Sequence, residues 1–238
     1  MPDVEGLADV ERLEGVASGF AATRDGIDTM LRDRGLRRTA PELTAESLLR
    51  GAAASAALSG SGSTLDEVRG GAGDAVAQSA LRVSVELLGL VPVFSRTPLQ
   101  ALARLHALAA HDVGPDETGR PRHADAARLL RDVVALLDDG RPALLTAALV
   151  HAALATGTPF GSSDGIVARA AERLVLVSSG LDAKSLVVPE AGHLALRPAY
   201  ESNLAAYAGG ARTGIQAWLL YCTEAYAAGA EASPLRDG

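Results

Sequence analysis

Alanine sets the tightest limit on this chain: 47 of its 238 residues are alanine, from Ala8 to Ala232. Alanine loses no side-chain entropy on entering a helix and has the highest helix propensity. Aromatic residues make up only 3% of the chain, and β-branched residues dominate no long stretch. The expected fold is all-α, a helical bundle in a single domain whose alanine-lined helices pack closely. Hydrophobic types reach 48%, which excludes a disordered chain and is enough to build a substantial core.

Helix punctuation recurs at the expected places. Thr64-Leu-Asp-Glu67 has the form of a capping box. Thr97-Pro98 reads as an N-cap followed by proline at the first helical position, opening a helix with Leu99, Leu102 and Leu105. A further helix between His123 and Asp139 is stopped by Gly140 and Pro142. Leu144, Ala148, His151 and Ala155 share the face of another, as do Ile166, Ala170, Leu174 and Val177, and finally Ile215, Leu219, Cys222 and Tyr226. Two stretches break this rhythm. Residues 111–122 are polar, and residues 184–196 carry β-branched residues, a proline and a glycine, so a short β element is expected there.

Several functions fall away on charge and composition. A net charge of −7 and only one lysine, Lys184, argue against a nucleic-acid partner. The weakly polar run from Pro142 to Ala155 is short of the roughly 20 residues that span a bilayer, so no membrane is expected. The acidic N-terminus lacks the basic and apolar regions of a secretory signal, and a cytoplasmic protein is the expectation. A single cysteine, Cys222, excludes an internal disulfide and lies on an apolar stripe, so it should be buried and inert. His106, His111 and His123 match no ligand spacing and read as surface histidines, and no metal site is expected. His151 lies among small apolar residues and reads as a core histidine.

Chemistry concentrates in His151 to Arg169, where a helix ends near Gly157, a small-residue loop follows and a new helix begins near Asp164. Backbone N–H groups at such a start form an anion site, unless Asp164 serves as the N-cap. The loop Thr158-Pro-Phe-Gly-Ser-Ser-Asp-Gly-Ile-Val-Ala-Arg169 resembles the signature of Fic (Fido) domain proteins, nucleotidyl-transferring enzymes with the motif H-P-F-x-[DE]-G-N-G-R-x-x-R. Pro159, Phe160, Gly165 and Arg169 match, and His151 precedes Thr158 by seven residues, as a histidine often does in that family. Upstream, Ser55 to Ser59-Gly60 is similar to the family's inhibitory motif [ST]-x-x-x-E-[GN]. The resemblance implies a Fic-like helical domain over residues 45–230, with residues 1–44 as a helical extension and 231–238 as a frayed tail.

The departures from the motif decide the expected activity. The family's general base is replaced by Thr158, whose hydroxyl cannot take a proton at neutral pH. The acidic Mg²⁺ ligand is Ser162, and the first phosphate-gripping arginine is Ile166. Asp164 puts a carboxylate where a diphosphate would lie. The inhibitory glutamate is Ser59, and residues 111–123 show no apolar strand pair for docking a target peptide. The resemblance then implies a degenerate Fic-like protein without AMP-transferase activity and without a cofactor. A transferase or hydrolase of altered chemistry would instead use ATP and Mg²⁺, with Asp164 as base or metal ligand and Gly165, Arg169, Ser162 and Ser163 around the anion. A structural module, such as a homodimer packed through alanine-lined helices, is the third reading; the physiological partner is unknown.

Overall fold

The computed structural model describes residues 9–33, 41–110, 114 and 116–237. Its helices run α1 (Val16–Asp33), α2 (Pro41–Leu58), α3 (Leu65–Arg69), α4 (Ala75–Phe94), α5 (Pro98–Ala109) and α6 (Ala124–Leu137). They continue as α7 (Ala143–Gly157), α8 (Asp164–Ser178), α9 (Pro189–Ala195), α10 (Arg197–Ala208) and α11 (Arg212–Glu231). No strand occurs among the described residues.

Helix α7 is the centre. Every residue from Leu144 to Leu154 is buried, so the helix has no polar face to show water. Its alanines let neighbours approach closely. Antiparallel α8 lies against it, α6 and α10 pack on other sides, and Trp218 of α11 donates its indole N–H to the Ala148 carbonyl at 2.9 Å. Helix α1 packs on α11, with Phe20 beside Tyr226, so α1 shares this core.

The capping box at Thr64 forms as its spacing predicts: Thr64 Oγ1 accepts from Glu67 N–H, and Glu67 accepts from Thr64 N–H at 2.7 Å. At α5 the proline takes the first helical position, but Thr97 turns its hydroxyl to the Val93 carbonyl and caps nothing. Helix α6 is capped by His123 itself, whose Nδ1 accepts from Ala126 N–H. Cys222 is buried as expected. Helix α4 is, among the described residues, the one helix long and apolar enough to cross a membrane. Here Ala77, Ala80, Val83, Leu87, Leu90 and Phe94 face the interior, while Val85 is 71% exposed.

One expectation is overturned. Residues 184–196 hold no β element: Ser185 is left-handed (φ 53°), Leu186 to Val188 form no regular structure, and Pro189 then opens α9. The N–H groups that a strand would need are taken elsewhere. Asp182 accepts from Leu186 and Val187 at 2.9 and 2.8 Å, and Val188 donates to the Gly229 carbonyl. Pro234–Asp237 forms a short 3₁₀ turn with Leu235 buried, and Arg50 pairs with Asp237 and donates to the Ala232 carbonyl.

Helix α9 lies so close to α11 that a Cβ on Gly192 would overlap the Ala225 carbonyl oxygen. A buried ion pair, Arg173 Nη2 to Glu190 at 2.8 Å, ties α9 to α8. Gly192→Ala should therefore destabilise the protein by about 1–3 kcal/mol or more. Gly89→Ala, exposed in mid-helix with no neighbour near its Cβ position, should stabilise it by about 1 kcal/mol. Chemical denaturation of the two variants checks both signs.

Candidate functional site

The connection between α7 and α8 is a strained, tightly tied loop. Thr158 ends α7 in the left-handed region (φ 42°), its N–H donating to the Leu154 carbonyl. Such a conformation is unusual for a β-branched residue. Ser163, also left-handed (φ 54°), precedes α8. Asp164 does not cap its own helix. Its carboxylate turns back and accepts from Phe160 N–H at 2.9 Å and Gly161 N–H at 2.8 Å, so a residue expected as N-cap closes the loop instead. Burial raises the Asp164 pKa, against the lowering effect of those two amides.

His106 supplies a second anchor and corrects an expectation: it is not a surface histidine but 1% exposed. Its ring stacks on Phe160 at 4.4 Å, Nδ1 accepts from Gly119 N–H at 2.9 Å, and Nε2 lies 3.2 Å from Ser162 Oγ. The backbone donor at Nδ1 assigns the proton to Nε2. Its partners stand 13 and 54 or more residues away, beyond any local spacing rule. His123 is exposed, as expected, and His111 lies outside the described residues. The polar segment closes over the loop through Arg122, whose N–H donates to Pro159 O and whose Nη2 donates to Thr158 Oγ1, both at 3.0 Å. The expected absence of a strand pair in residues 111–123 holds for the described part of that interval, and residues 111–113 and 115 lie outside it.

Arg169, one turn into α8, is 2% exposed and reaches the upstream segment singled out in the sequence. Its Nε donates to Ser55 Oγ at 2.9 Å, Nη2 to Ser55 O at 2.9 Å and to Ser59 Oγ at 2.6 Å, and Nη1 to Tyr200 Oη at 3.2 Å. The structure thus joins Arg169 to Ser55 and Ser59, and Gly60 follows in a left-handed turn (φ 92°). Gly165 sits beside the Arg169 guanidinium, and Ile166 is buried. Ser59, Ser162, Ser163, Gly165 and Ile166 line a solvent-open hollow of about 390 Å³.

Behind Arg169 lies a cluster that the sequence did not reveal. Glu172 of α8, fully buried, accepts from Tyr226 Oη at 2.8 Å and from His193 Nε2 at 3.1 Å. His193 Nδ1 faces Tyr221 Oη at 2.9 Å, and His151 Nε2 faces Tyr200 Oη at 3.0 Å. Burial pushes the His151 pKa down to about 4 despite the charge of Glu172. Burial alone would raise the Glu172 carboxyl, but His151 and His193 more than offset it and hold it well below the usual carboxylate range. The core reading of His151 is correct. No periodicity could have united residues on α7, α8 and α9.

No protein-family model matches the chain, and no curated protein matches it in sequence. In structure it is similar to a Fic family protein from Desulfovibrio desulfuricans G20, with a TM-score of 0.70 and 18% identity over 88% of this chain and 73% of that one. The fold is all-α and Fic-like.

Two outcomes test the loop. Asp164→Ala strands the amides of Phe160 and Gly161, and should cost about 1–3 kcal/mol while speeding hydrogen exchange at those two positions. Burial holds His106 below its ordinary pKa, against the raising effect of Ser162. The neutral ring is favoured in the fold, so its contribution is complete above about pH 6.5 and declines as pH falls toward the folded value. Thermal denaturation from about pH 7.5 to about pH 5 should show a steeper loss for the wild type than for His106→Gln.

Proposed function

We propose that this Fic-fold protein transfers no AMP and acts through binding or regulation, with a signature loop locked by its own side chains. The observation that carries this reading is the state of Arg169, the one motif arginine retained. It is buried, and each of its three side-chain nitrogens already has a partner in Ser55, Ser59 or Tyr200. A polyphosphate would need that guanidinium and the loop amides, and Asp164 occupies two of those amides with a negative charge. Chemistry at the loop also lacks reagents. Thr158 is no base at neutral pH, Ser162 is a neutral oxygen where Mg²⁺ favours carboxylates, and Ile166 is apolar and buried.

The reading is tested with the full chain, ATP and Mg²⁺. Radiolabelled AMP should be incorporated neither into the protein itself nor into a cell extract, and the melting temperature should not move with saturating nucleotide. Labelling that disappears on Asp164→Ala or Arg169→Ala would overturn it in favour of a transferase of altered chemistry.

A further inference from the structure

Three side chains able to ligate a metal converge where α7, α8 and α9 meet. His151, Glu172 and His193 each offer one ligand atom, all within 4.8 Å of one another, and none is exposed to solvent. Within this cluster one atom is left over. His151 Nδ1 lies 3.0 Å from Glu172 Oε2 but out of line for a hydrogen bond, so a fully buried nitrogen aimed into the cluster has no hydrogen-bond partner. Orphaned buried polar atoms are rare because nothing compensates their lost hydration.

We propose that His151 Nδ1, Glu172 Oε2 and His193 Nε2 bind a single divalent transition-metal ion of the zinc class. Two imidazoles and one carboxylate suit zinc and its neighbours, whereas Mg²⁺ and Ca²⁺ favour oxygen donors throughout. Zinc bonds of about 2.0–2.2 Å would draw the two rings in from their present separation. The far side of each ring is already prepared. His151 Nε2 faces Tyr200 Oη and His193 Nδ1 faces Tyr221 Oη, and a phenol can accept as readily as it donates. Each neutral ring can thus carry its proton on the far nitrogen and free the near one for the metal, with no net release of protons from the imidazoles. Ligating histidines are oriented in this way by outer hydrogen bonds. Tyr226 holds Glu172 Oε1 and leaves Oε2 toward the rings. Three protein ligands leave the fourth tetrahedral position to a water enclosed with the ion, and with no exposure to solvent the site would act as a clamp joining three helices. It draws on none of the loop residues discussed above.

The test refolds the full chain after stripping with EDTA, with and without Zn²⁺, since a closed site loads most readily as the chain folds. Expected are one zinc retained per chain after desalting, a higher melting temperature, and side-chain ¹⁵N shifts at His151 Nδ1 and His193 Nε2 while those of His106 and His123 stay in place. Glu172→Gln and His193→Gln should each lower zinc retention at least tenfold. The nitrogen shifts need only the wild-type chain, so a variant that fails to fold leaves the proposal testable. A metal-free refolded protein, unchanged melting, or shifts confined to other histidines would overturn it.

Discussion

The charge on Glu172 is the constraint around which this fold is arranged. A carboxylate removed from water costs several kcal/mol unless donors surround it. Glu172 is fully buried in α8, so those donors must come from elsewhere: His193 from α9 and Tyr226 from α11, with His151 of α7 alongside. Each of these helices has to arrive at a fixed rotation and height for its donor to reach. The overlap that a Cβ on Gly192 would make with Ala225 O has the same origin, since α9 must press against α11 to bring His193 inward. Alanine and glycine are the residues that permit such closeness, and the unusual composition of the chain becomes intelligible as a spacing requirement.

A second arrangement is built on top of the first. Tyr200 Oη lies between His151 Nε2 and Arg169 Nη1, and so links the buried cluster to the guanidinium that binds Ser55 and Ser59. From there α8 leads directly to Asp164 and the loop it closes. Core and loop are therefore one continuous polar path through α8, with the helix as its rigid element.

Much of this was legible in the sequence, for reasons that can be stated. The Thr64 box, the proline opening α5 and the stripes of α6 and α11 depend on residues three or four apart, and local spacing reports them, whereas α7 and α8 are buried on nearly every side. The positions of Arg169, Ser55 and Ser59 were flagged by resemblance, and the structure brings them into contact. What failed to show depends on partners far along the chain. The stretch at 184–196 looked like strand because of the β-branched pair Val187 and Val188, yet Asp182 takes N–H groups a strand would have used. His106 looked like surface because the polar stretch of residues 111–122 follows it closely, and the return of Phe160 and Ser162 against the ring buries it. Glu172 and His193 carried no signal, since a lone acidic residue on a helix is ordinarily a solvated one.

The serine contacts of Arg169 have a consequence for any ligand that would use this guanidinium. Such a molecule meets not a waiting cation but a closed population, and binds only the fraction of molecules in which Ser55 and Ser59 have let go. Its apparent dissociation constant is the intrinsic one divided by that fraction, so an opening free energy of about 4 kcal/mol weakens it by roughly a thousandfold. Serine is uncharged, and the hold it exerts is independent of pH and only weakly sensitive to salt. Ionic conditions alone would thus leave the distribution between closed and open forms almost untouched, whereas substitution of a single hydroxyl would shift it.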